Sequence, residues 1–359
     1  MDMSKSKVIL VGGFLGAGKT SLLWRAAEII KKRGDKVGLI TNDQATNLVD
    51  TTFLTGNENI VKEVSGSCFC CNFPGFADAI AYVIDKTNGG TVIAEPVGSC
   101  TDLSATLMQP LKDKYADTVD LAPLTVLADP ERLTEVLKDV TAFGAYIAGK
   151  QFEEADIILI NKSDLMTAEA MAGLVAKAEA QWPQAKVMTA SVKDNVGIEE
   201  WLDTVLAVEG AGTHLAEVDY DIYAAGEAAY GWLNANFNLG KAGDYAAAAQ
   251  ALIEALGKAF NERNASVGHV KFLLQTTDHQ WIANLTGKAH TASLRDQARS
   301  ANAVTLTVNA RVEMKPEELQ KVVLDAVQTA FSGFDCAQTG LNCLIPGRPN
   351  PTYHYTKVI

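Results

Sequence analysis

Apolar and polar positions over the first two hundred residues follow two alternating patterns, short β-branched runs and longer stretches with helical spacing. The helical stretches include residues 21–33 and 168–182. Most of the short runs are continuously apolar, which is typical of strands that are covered on both faces. Strands that alternate with helices predict βαβ units and a mostly parallel sheet, so we expect an α/β domain. The expected strands are residues 7–11, 36–41, 59–64, 91–95, 123–128, 156–161 and 186–190.

The pattern changes after this first domain, which we place at residues 1–208. A short glycine-containing stretch, residues 209–218, indicates a linker. Residues 219–332 then predict a smaller α+β domain, and residues 333–359, rich in Pro, Gly and Asn, predict a tail. In the second domain we expect strands at residues 220–224, 230–237, 268–275, 280–285 and 303–312, and helices at residues 244–261 and 316–330.

The first apolar run leads into a glycine-rich segment at residues 12–21, Gly-Gly-Phe-Leu-Gly-Ala-Gly-Lys-Thr-Ser. Its spacing, between a strand and a helix, is that of a phosphate-binding P-loop. In such a loop backbone N–H groups surround a polyphosphate, the lysine contacts the β- and γ-phosphates, and the hydroxyl binds Mg²⁺. The alternative is a glycine-rich turn without a ligand. The residues predicted to bind nucleotide here are Gly13, Gly16, Ala17, Gly18, Lys19, Thr20 and Ser21.

A second polar motif, Asn161-Lys162-Ser163-Asp164, follows the apolar run that begins at residue 156. The carboxylate of Asp164 can accept hydrogen bonds from the N1–H and the exocyclic amine of guanine. Adenine would leave this carboxylate unpaired, at a cost of about 1 kcal/mol or more, so the motif favours guanine. The stem of Lys162 can lie against the base, and Asn161 can brace the loop. Ser191 is a candidate for a second contact with the base, or alternatively a cap for the next helix.

Two carboxylates stand at strand ends, where ligands bind in open α/β sheets. Asp43 and Glu95 can each hold Mg²⁺ directly or through water, the alternative being a solvated turn or strand end. The N–H of Gly98 is expected to contact a γ-phosphate, so that its segment is ordered before hydrolysis and released afterwards. No residue stands out as the one that orients the attacking water. We assign Mg²⁺ to Thr20, Asp43 and Glu95, and the hydrolytic step to Lys19, Thr20 and Glu95.

Three cysteines, Cys68, Cys70 and Cys71, form a Cys-x-Cys-Cys motif after the third expected strand. Three thiolates this close can converge on Zn²⁺, Co²⁺ or Ni²⁺, and a fourth ligand would come from a carboxylate, a histidine or water. The alternatives are small buried side chains or a redox-active pair. Cys100 follows Gly98 closely, and its role is left open between packing and a part in the site. Cys336 and Cys343 are too loosely spaced to indicate a site.

Composition narrows the class of partner. The chain has 359 residues and a formal net charge of −12, which argues against nucleic-acid binding and against docking on an anionic membrane. There is no apolar run long enough for a membrane span and no signal-like start, and clustered cysteines suit a reducing compartment. We therefore expect a cytoplasmic protein.

Taken together, the motifs resemble the CobW-like family of GTP-binding metallochaperones, which is related to the urease and hydrogenase nickel-insertion GTPases. The resemblance runs from the P-loop through Asn42-Asp43, Asp50, the cysteine motif and Glu95-x-x-Gly98, and then through Gln151-x-x-x-Ala155-Asp156 to Asn161-Lys162-x-Asp164. It implies slow GTP hydrolysis coupled to delivery of Zn²⁺, Co²⁺ or Ni²⁺. Ser67, where the family usually has glycine, and the lack of a His-rich stretch leave the metal open.

The resulting hypothesis is a GTPase that uses GTP or GDP, Mg²⁺ and a transition metal, and that supplies a client metalloprotein or a corrinoid-related protein. A homodimer is possible. One alternative is a GTP-gated docking module with a structural metal. Another is a P-loop enzyme with a thiol redox switch and no metal.

Overall fold

The structure is a computed structural model that describes residues 5–43, 54, 59–139, 143–208, 210–240, 243–287, 291–298 and 301–359. The chain divides into two compact units. The first unit is built on Asp50–Tyr223 together with Met1–Thr46 and Arg348–Ile359, and the second is built on Ala224–Gly347. Asp50, which contributed to the resemblance, lies outside the described residues.

A parallel β-sheet forms the centre of the first unit. Its order is β3-β2-β4-β1-β6-β7-β8, with β5 paired to β1 beside this path, and each pairing is parallel. The carboxyl end of β1 lies between β4 and β6, so its loop opens at an edge where several strand ends meet. The strands are β1 (Ser6–Gly13), β2 (Val37–Asp43), β3 (Ile60–Ser65), β4 (Thr91–Glu95), β5 (Val119–Leu121), β6 (Thr125–Ala128), β7 (Ile157–Ile160) and β8 (Lys186–Thr189).

Helices connect these strands and bury one face each against the sheet. In α1 the apolar positions Leu22, Leu23, Ala26 and Ile30 are buried, and the basic residues of its last turn are favourably placed at the negative end of the helix dipole. The helices are α1 (Lys19–Lys32), α2 (Phe73–Thr87), α3 (Gln109–Tyr115), α4 (Pro130–Lys138), α5 (Phe143–Glu153), α6 (Ala168–Gln181) and α7 (Ile198–Ala207), with a π-helical turn at Ser104–Met108 and a 3₁₀ turn at Ser163–Leu165.

The second unit contains an antiparallel sheet with the order β12-β11-β10-β13-β9-β14. Two helices bury their apolar faces in its core, which includes Leu252, Phe260, Phe272 and Val323. The strands are β9 (Gly231–Gly240), β10 (Val267–Gln275), β11 (His279–Gly287), β12 (Thr291–Ala298), β13 (Thr305–Val312) and β14 (Asp335–Leu344). The next helices along the chain are α8 (Tyr220–Ala228), α9 (Tyr245–Glu262) and α10 (Pro316–Ala330).

These observations confirm the expected fold class, a mostly parallel α/β sheet followed by a smaller α+β unit. Some elements differ from the expectation. Residues 220–224 are helical in α8, because the side chain of Asp219 accepts hydrogen bonds from the N–H groups of Asp221 and Ile222 and starts a helix. Strand β12 was missed because it is a polar edge strand.

The segment at residues 333–359 is not a loose tail. It contributes β14, which pairs with β9 at the other edge of the antiparallel sheet. Residues 348–359 belong instead to the first unit. Among the described residues, no helix combines the length and the apolarity needed to cross a membrane.

Candidate functional site

Three glycines shape the loop after β1. Gly13, Gly16 and Gly18 have φ angles of 128°, 82° and 101°, which side chains with a Cβ rarely adopt. A Cβ on Gly13 would also lie 2.5 Å from the carbonyl oxygen of Leu127. The loop ends at the N-terminus of α1, so its backbone forms a cradle with helical N–H groups, and this geometry fits a phosphate chain.

The side chains that begin α1 meet a carboxylate from β4. The Thr20 hydroxyl donates a 3.1 Å hydrogen bond to Oε1 of Glu95. The Lys19 ammonium donates to the Gly13 carbonyl (2.9 Å) and lies 3.9 Å from the same Glu95 oxygen. A hydroxyl and a carboxylate at this spacing suit a hard cation such as Mg²⁺. Ser21 follows them in α1.

Asp43, the third residue assigned to Mg²⁺, ends β2 beside this group. Strands β2 and β4 are in register, with Thr41 opposite Glu95, so the backbone of Asp43 reaches the same edge of the sheet. Its side chain lies outside the described part of the structure.

The segment after β4 packs directly on the P-loop. A Cβ on Gly98 would lie 2.7 Å from a methyl carbon of Leu15 and 3.0 Å from Nζ of Lys19, so glycine is needed for this close approach. Gln151 of α5 is fully buried and donates through Nε2 to the carbonyls of Gly98 (3.2 Å) and Cys100 (2.7 Å). Gln151 contributed to the family resemblance but was not among the predicted site residues. Its amide, between apolar positions of a helix, could have indicated a buried hydrogen-bonding role.

Asn161 joins the P-loop to the loop after β8. Its Nδ2 donates to the Ala17 carbonyl (2.9 Å), and its Oδ1 accepts from the Val192 N–H (3.1 Å). Lys162 has a positive φ of 59° and pairs with Asp129, the N-cap residue of α4. The motif therefore braces two neighbouring loops through its first two residues.

Asp164 and Ser191 come together at this edge. Ser191 Oγ donates a 2.8 Å hydrogen bond to one Asp164 oxygen, and Lys193 lies 3.4 Å from the other. Burial acts to raise the pKa of Asp164, but the hydrogen bonds of Ser191, the backbone and Lys193 outweigh it and lower the pKa. The carboxylate is therefore ionised at neutral pH, as pairing with two guanine donors requires. Ser191 does not cap α7, whose N-cap is Gly197.

The motif cysteines, Cys68, Cys70 and Cys71, converge on one point. The Sγ atoms of Cys68 and Cys70 are 3.0 Å apart, those of Cys70 and Cys71 are 3.9 Å apart, and all three lie within 4.8 Å of one another. Thiol hydrogen bonds from Cys100, Cys70 and Cys71 hold the pKa of Cys68 well below its usual range. The pKa of Cys70 is raised, by hydrogen bonds to Cys100 and the other motif thiols and by burial.

This spacing fits a metal ion. Tetrahedral thiolate coordination, with metal–sulfur bonds of about 2.3 Å, places sulfur atoms about 3.8 Å apart. The donor set is soft, which suits Zn²⁺, Co²⁺ or Ni²⁺ and disfavours Mg²⁺. Cys336 and Cys343 lie on β14 in the second unit, where Cys336 is exposed, so they belong to a different region of the fold.

Asn42 holds the cysteine loop against β2. Its Nδ2 donates to the carbonyls of Val64 and Ser67, both at 2.8 Å, and its Oδ1 accepts from the Phe69 N–H at 2.8 Å. Phe69 is buried and stacks on Phe76 of α2, with ring centroids 4.1 Å apart. The end of β2 is thus connected to the cysteine motif through one buried amide.

The C-terminal residues of the first unit lie across the motif cysteines. The Asn350 N–H donates to Sγ of Cys71 (3.3 Å), and the Thr352 N–H donates to the Cys70 carbonyl (2.8 Å). The Thr352 hydroxyl donates to the Cys71 carbonyl (3.1 Å). No motif in the sequence predicts this contact.

A buried pair of acids lies next to the Cys100 segment. Asp102 has a positive φ of 64° and accepts hydrogen bonds from Tyr220 (2.8 Å) and His354 (2.9 Å). Burial raises the pKa of Asp102. Burial, and then the charge of Asp102, raise the pKa of Glu154 to about 8, even though Glu154 accepts a hydrogen bond from the Ser104 N–H. At neutral pH Glu154 is therefore mainly protonated.

Among known families, the nucleotide-binding domain of CobW/HypB/UreG matches residues 7–189, slightly more than half of the chain. This range contains the P-loop, the motif cysteines and the Asn161–Asp164 motif. It confirms the resemblance drawn from the motifs.

Individual relatives are more distant. The zinc-regulated GTPase metalloprotein activator 1 of Schizosaccharomyces pombe is 27% identical over 175 residues, which cover 46% of this chain and 40% of the relative. The zinc chaperone YjiA of Escherichia coli is 27% identical over 169 residues, covering 45% and 51%. The chain thus spans about half the length of these relatives. HypB from Helicobacter pylori, solved in complex with nickel, has a TM-score of 0.42 at 20% identity, covering 55% of this chain and 85% of HypB.

Proposed function

This chain belongs to the CobW/HypB/UreG family of nucleotide-binding proteins, and we propose that it is a GTP-hydrolysing metallochaperone. In this proposal it binds Zn²⁺, Co²⁺ or Ni²⁺ at the motif cysteines and delivers the metal to a client metalloprotein or a corrinoid-related protein. The curated relatives are named as zinc chaperones or as a zinc-regulated GTPase, which supports zinc as the first metal to test.

One observation carries the proposal: the phosphate loop and the metal motif share structural supports. The segment after β4 packs against Leu15 and Lys19 at Gly98. Two residues later it contains the buried Cys100, whose thiol lowers the pKa of Cys68 and raises that of Cys70. Nucleotide-dependent rearrangement of this segment would therefore reach the thiols without a long relay.

The proposal gives a role to each of the predicted site residues, and the positions of those that the structure describes support it. Bound GTP with Mg²⁺ supplies the phosphoryl group and the charge that neutralises it. Lys19 donates to the phosphates, while Thr20, Glu95 and Asp43 orient the cation. Asp164 accepts from guanine, supported by Ser191, and Asn161 keeps its loop against the P-loop.

The decisive test is metal stoichiometry in reductant, with a GTP analogue or with GDP. We expect about one metal per chain for the wild type, loss of that metal when all three motif cysteines become serine, and an affinity that differs between the two nucleotides. The matched control is Cys336→Ser, which removes an exposed thiol from the other unit.

Two results would redirect the proposal. Metal bound equally in both nucleotide states would favour a GTP-gated docking module with a structural metal. Absence of thiol-bound metal, with oxidant-sensitive hydrolysis, would favour a thiol redox switch, for which the 3.0 Å separation of the Cys68 and Cys70 sulfurs is suitable.

A further inference from the structure

Residues 348–359, which we call the strap, follow β14 along the chain, belong to the first unit and have no regular secondary structure. Four backbone N–H groups of the strap donate hydrogen bonds to other parts of this unit. The donors are Asn350, Thr352, Tyr355 and Ile359, and their acceptors are, in the same order, the Cys71 sulfur, the Cys70 carbonyl, the Ala105 carbonyl and Oε1 of Gln109. The strap is therefore held at points spread over its length, and the first of these points are on the cysteine loop.

The strap lies at the opening of the thiol site. Cys68 and Cys70 are buried, whereas Cys71 is partly exposed, so solvent reaches the cluster from the side of Cys71. On that side the Asn350 N–H donates to the Cys71 sulfur at 3.3 Å. The Thr352 N–H donates to the Cys70 carbonyl (2.8 Å), and the Thr352 hydroxyl donates to the Cys71 carbonyl (3.1 Å). A ligand that approaches the sulfurs from solvent therefore meets these two strap residues first.

We propose that the strap is a lid over the motif cysteines: when it is docked, metal enters and leaves slowly, and when it is undocked, the thiols are open to exchange. The inference rests on the proposed function, because it takes the motif cysteines as ligands of Zn²⁺, Co²⁺ or Ni²⁺. It adds the control of exchange at that site. A client that takes the metal with its own ligands must first displace the strap.

Two aromatic side chains of the strap hold it beside the cysteines. The ring of Tyr353 packs edge-on against Phe73, the first residue of α2, with ring centroids 5.1 Å apart. The Lys114 ammonium lies 5.0 Å from the centroid of the Tyr353 ring. His354 places Nε2 2.9 Å from a carboxylate oxygen of Asp102, which is fully buried. These contacts fix the lid without touching the sulfurs, so they can be removed while the proposed metal ligands stay intact.

The strap can undock while the rest of the unit stays folded. Of its residues, all of which the structure describes, Pro349 alone is buried. The contacts of Asn350 and Thr352 with Cys71 are exposed to solvent. Segments held by exposed hydrogen bonds open locally at a lower free energy than the whole domain. Prolines on both sides of Asn350 restrict the undocked chain, which lowers the entropy lost on docking. The strap therefore combines easy opening with a defined closed form.

The first test measures the reactivity of the thiols in the full chain, reduced and free of metal. The rate of alkylation by iodoacetamide is followed for each cysteine by mass spectrometry, in the wild type and in Tyr353→Ala/His354→Ala. Losing two ordinary contacts, each worth about 5-fold in an equilibrium, should raise the rates at Cys70 and Cys71 by about 10-fold or more. Cys336, exposed in the second unit, is the internal reference and should keep its rate.

Tyr82→Ala/His279→Ala is the matched control, because it removes the same two residue types from contacts of the same kind elsewhere. The Lys62 ammonium lies 5.1 Å from the Tyr82 ring centroid, and Nδ1 of His279 lies 3.3 Å from an oxygen of Asp278. The control should alkylate at the wild-type rates. Affinity for a GTP analogue within about 2-fold of wild type shows that the first unit of each variant is folded.

Thr352→Val is a milder variant that carries the test if the double variant loses nucleotide binding. It keeps the shape of the side chain and removes only the hydroxyl, which donates to the Cys71 carbonyl and accepts from the Phe73 N–H. Alkylation of Cys71 should rise by about 5-fold.

The second test measures the transfer of Zn²⁺ from the loaded full chain to the chromophoric chelator 4-(2-pyridylazo)resorcinol. Release should be about 10-fold faster in Tyr353→Ala/His354→Ala than in the wild type, with the same number of zinc ions bound per chain. Tyr82→Ala/His279→Ala should release zinc at the wild-type rate.

The outcomes separate the lid from the proposed function. Unchanged alkylation of Cys70 and Cys71 in folded strap variants would overturn the lid, whether or not zinc binds. Zinc that is bound by the motif cysteines and released at equal rates from all chains would also overturn it, while the metallochaperone proposal stands. A wild type that binds no zinc defeats the metallochaperone proposal and the control of metal exchange together, and faster alkylation in the strap variants would then leave the strap as a cover of reactive thiols.

Discussion

The nucleotide site and the thiol site lie in one unit, yet they are assembled differently. The groups of the nucleotide site stand at the carboxyl ends of β1, β4, β7 and β8, so the parallel sheet brings them together. The thiol site draws on the loop after β3, the end of β2, the segment after β4 and the C-terminal residues 350–352. The order of strands in the sheet therefore assembles the nucleotide site, whereas the thiol site depends on specific long-range hydrogen bonds.

Because the two sites are assembled differently, we expect some substitutions to affect one site alone. A change within the P-loop removes a direct ligand contact and should leave the thiols in place. A change in Asn42, the buried amide that braces the cysteine loop, should weaken the metal site while nucleotide binding persists. The variants below test this separation.

The largest effect is expected for Lys19→Ala. Hydrogen bonds to charged groups are worth about 1.5–3 kcal/mol each, so losing the phosphate contacts should weaken GTP binding by about 100-fold or more in calorimetric titration. Lys258→Ala, on the surface of α9, is the matched control. Micromolar GTP affinity retained in Lys19→Ala would undo the phosphate-loop assignment.

Glu154→Gln tests the buried acid pair, Asp102 and Glu154, through the pH dependence of stability. The pKa of Glu154 is about 8 in the folded chain and near 4.5 when unfolded, so the folded state holds the extra proton between these values. Stability of the wild type relative to Glu154→Gln should therefore be greatest below about pH 4.5 and fall by about 1.4 kcal/mol per pH unit up to about pH 8. Thermal midpoints from pH 5 to pH 8 measure this trend, and a constant difference would argue against a protonated Glu154.

Asp164→Asn tests the base contact. An amide at this position can no longer accept from both guanine donors, but it can donate to the carbonyl of xanthine. The preference for GTP over xanthosine triphosphate should fall by about 10-fold or more, measured by competition binding. Asp85→Asn is an exposed control on α2. Unchanged selectivity would show that Asp164 does not read the base.

The smallest effect is expected for Asn42→Ala. This change removes three hydrogen bonds that hold the cysteine loop but no proposed ligand. The affinity for zinc should fall by about 10-fold. The affinity for GTP, measured in the absence of zinc, should stay within about 2-fold of the wild-type value. Asn238→Ala, exposed on β9, serves as the control. An equal loss of both affinities would mean that the two sites cannot be separated in this way.

Much of the fold could be predicted because the spacing of apolar residues along the chain indicates which positions are buried. Continuous apolar runs located the covered strands, and Pro316 at the first turn located α10 at residues 316–330. Periodicity did not predict β12 and β14, because both are edge strands with many polar residues. Polar residues on an edge strand limit its pairing with other chains. Residues 220–224 were assigned as a strand because the cap formed by Asp219 was not recognised.

The sequence by itself determined the P-loop, the Asn161–Asp164 motif and the cysteine motif, because their chemistry depends on residues close together along the chain. Only the tertiary structure brought Cys100 near enough to shift the pKa values of Cys68 and Cys70, and placed the Asn350 N–H against the Cys71 sulfur. These partners are separated from the motif by roughly 30 to 280 positions, and no local spacing encodes such pairs. Packing and backbone hydrogen bonds formed in the folded chain decide them.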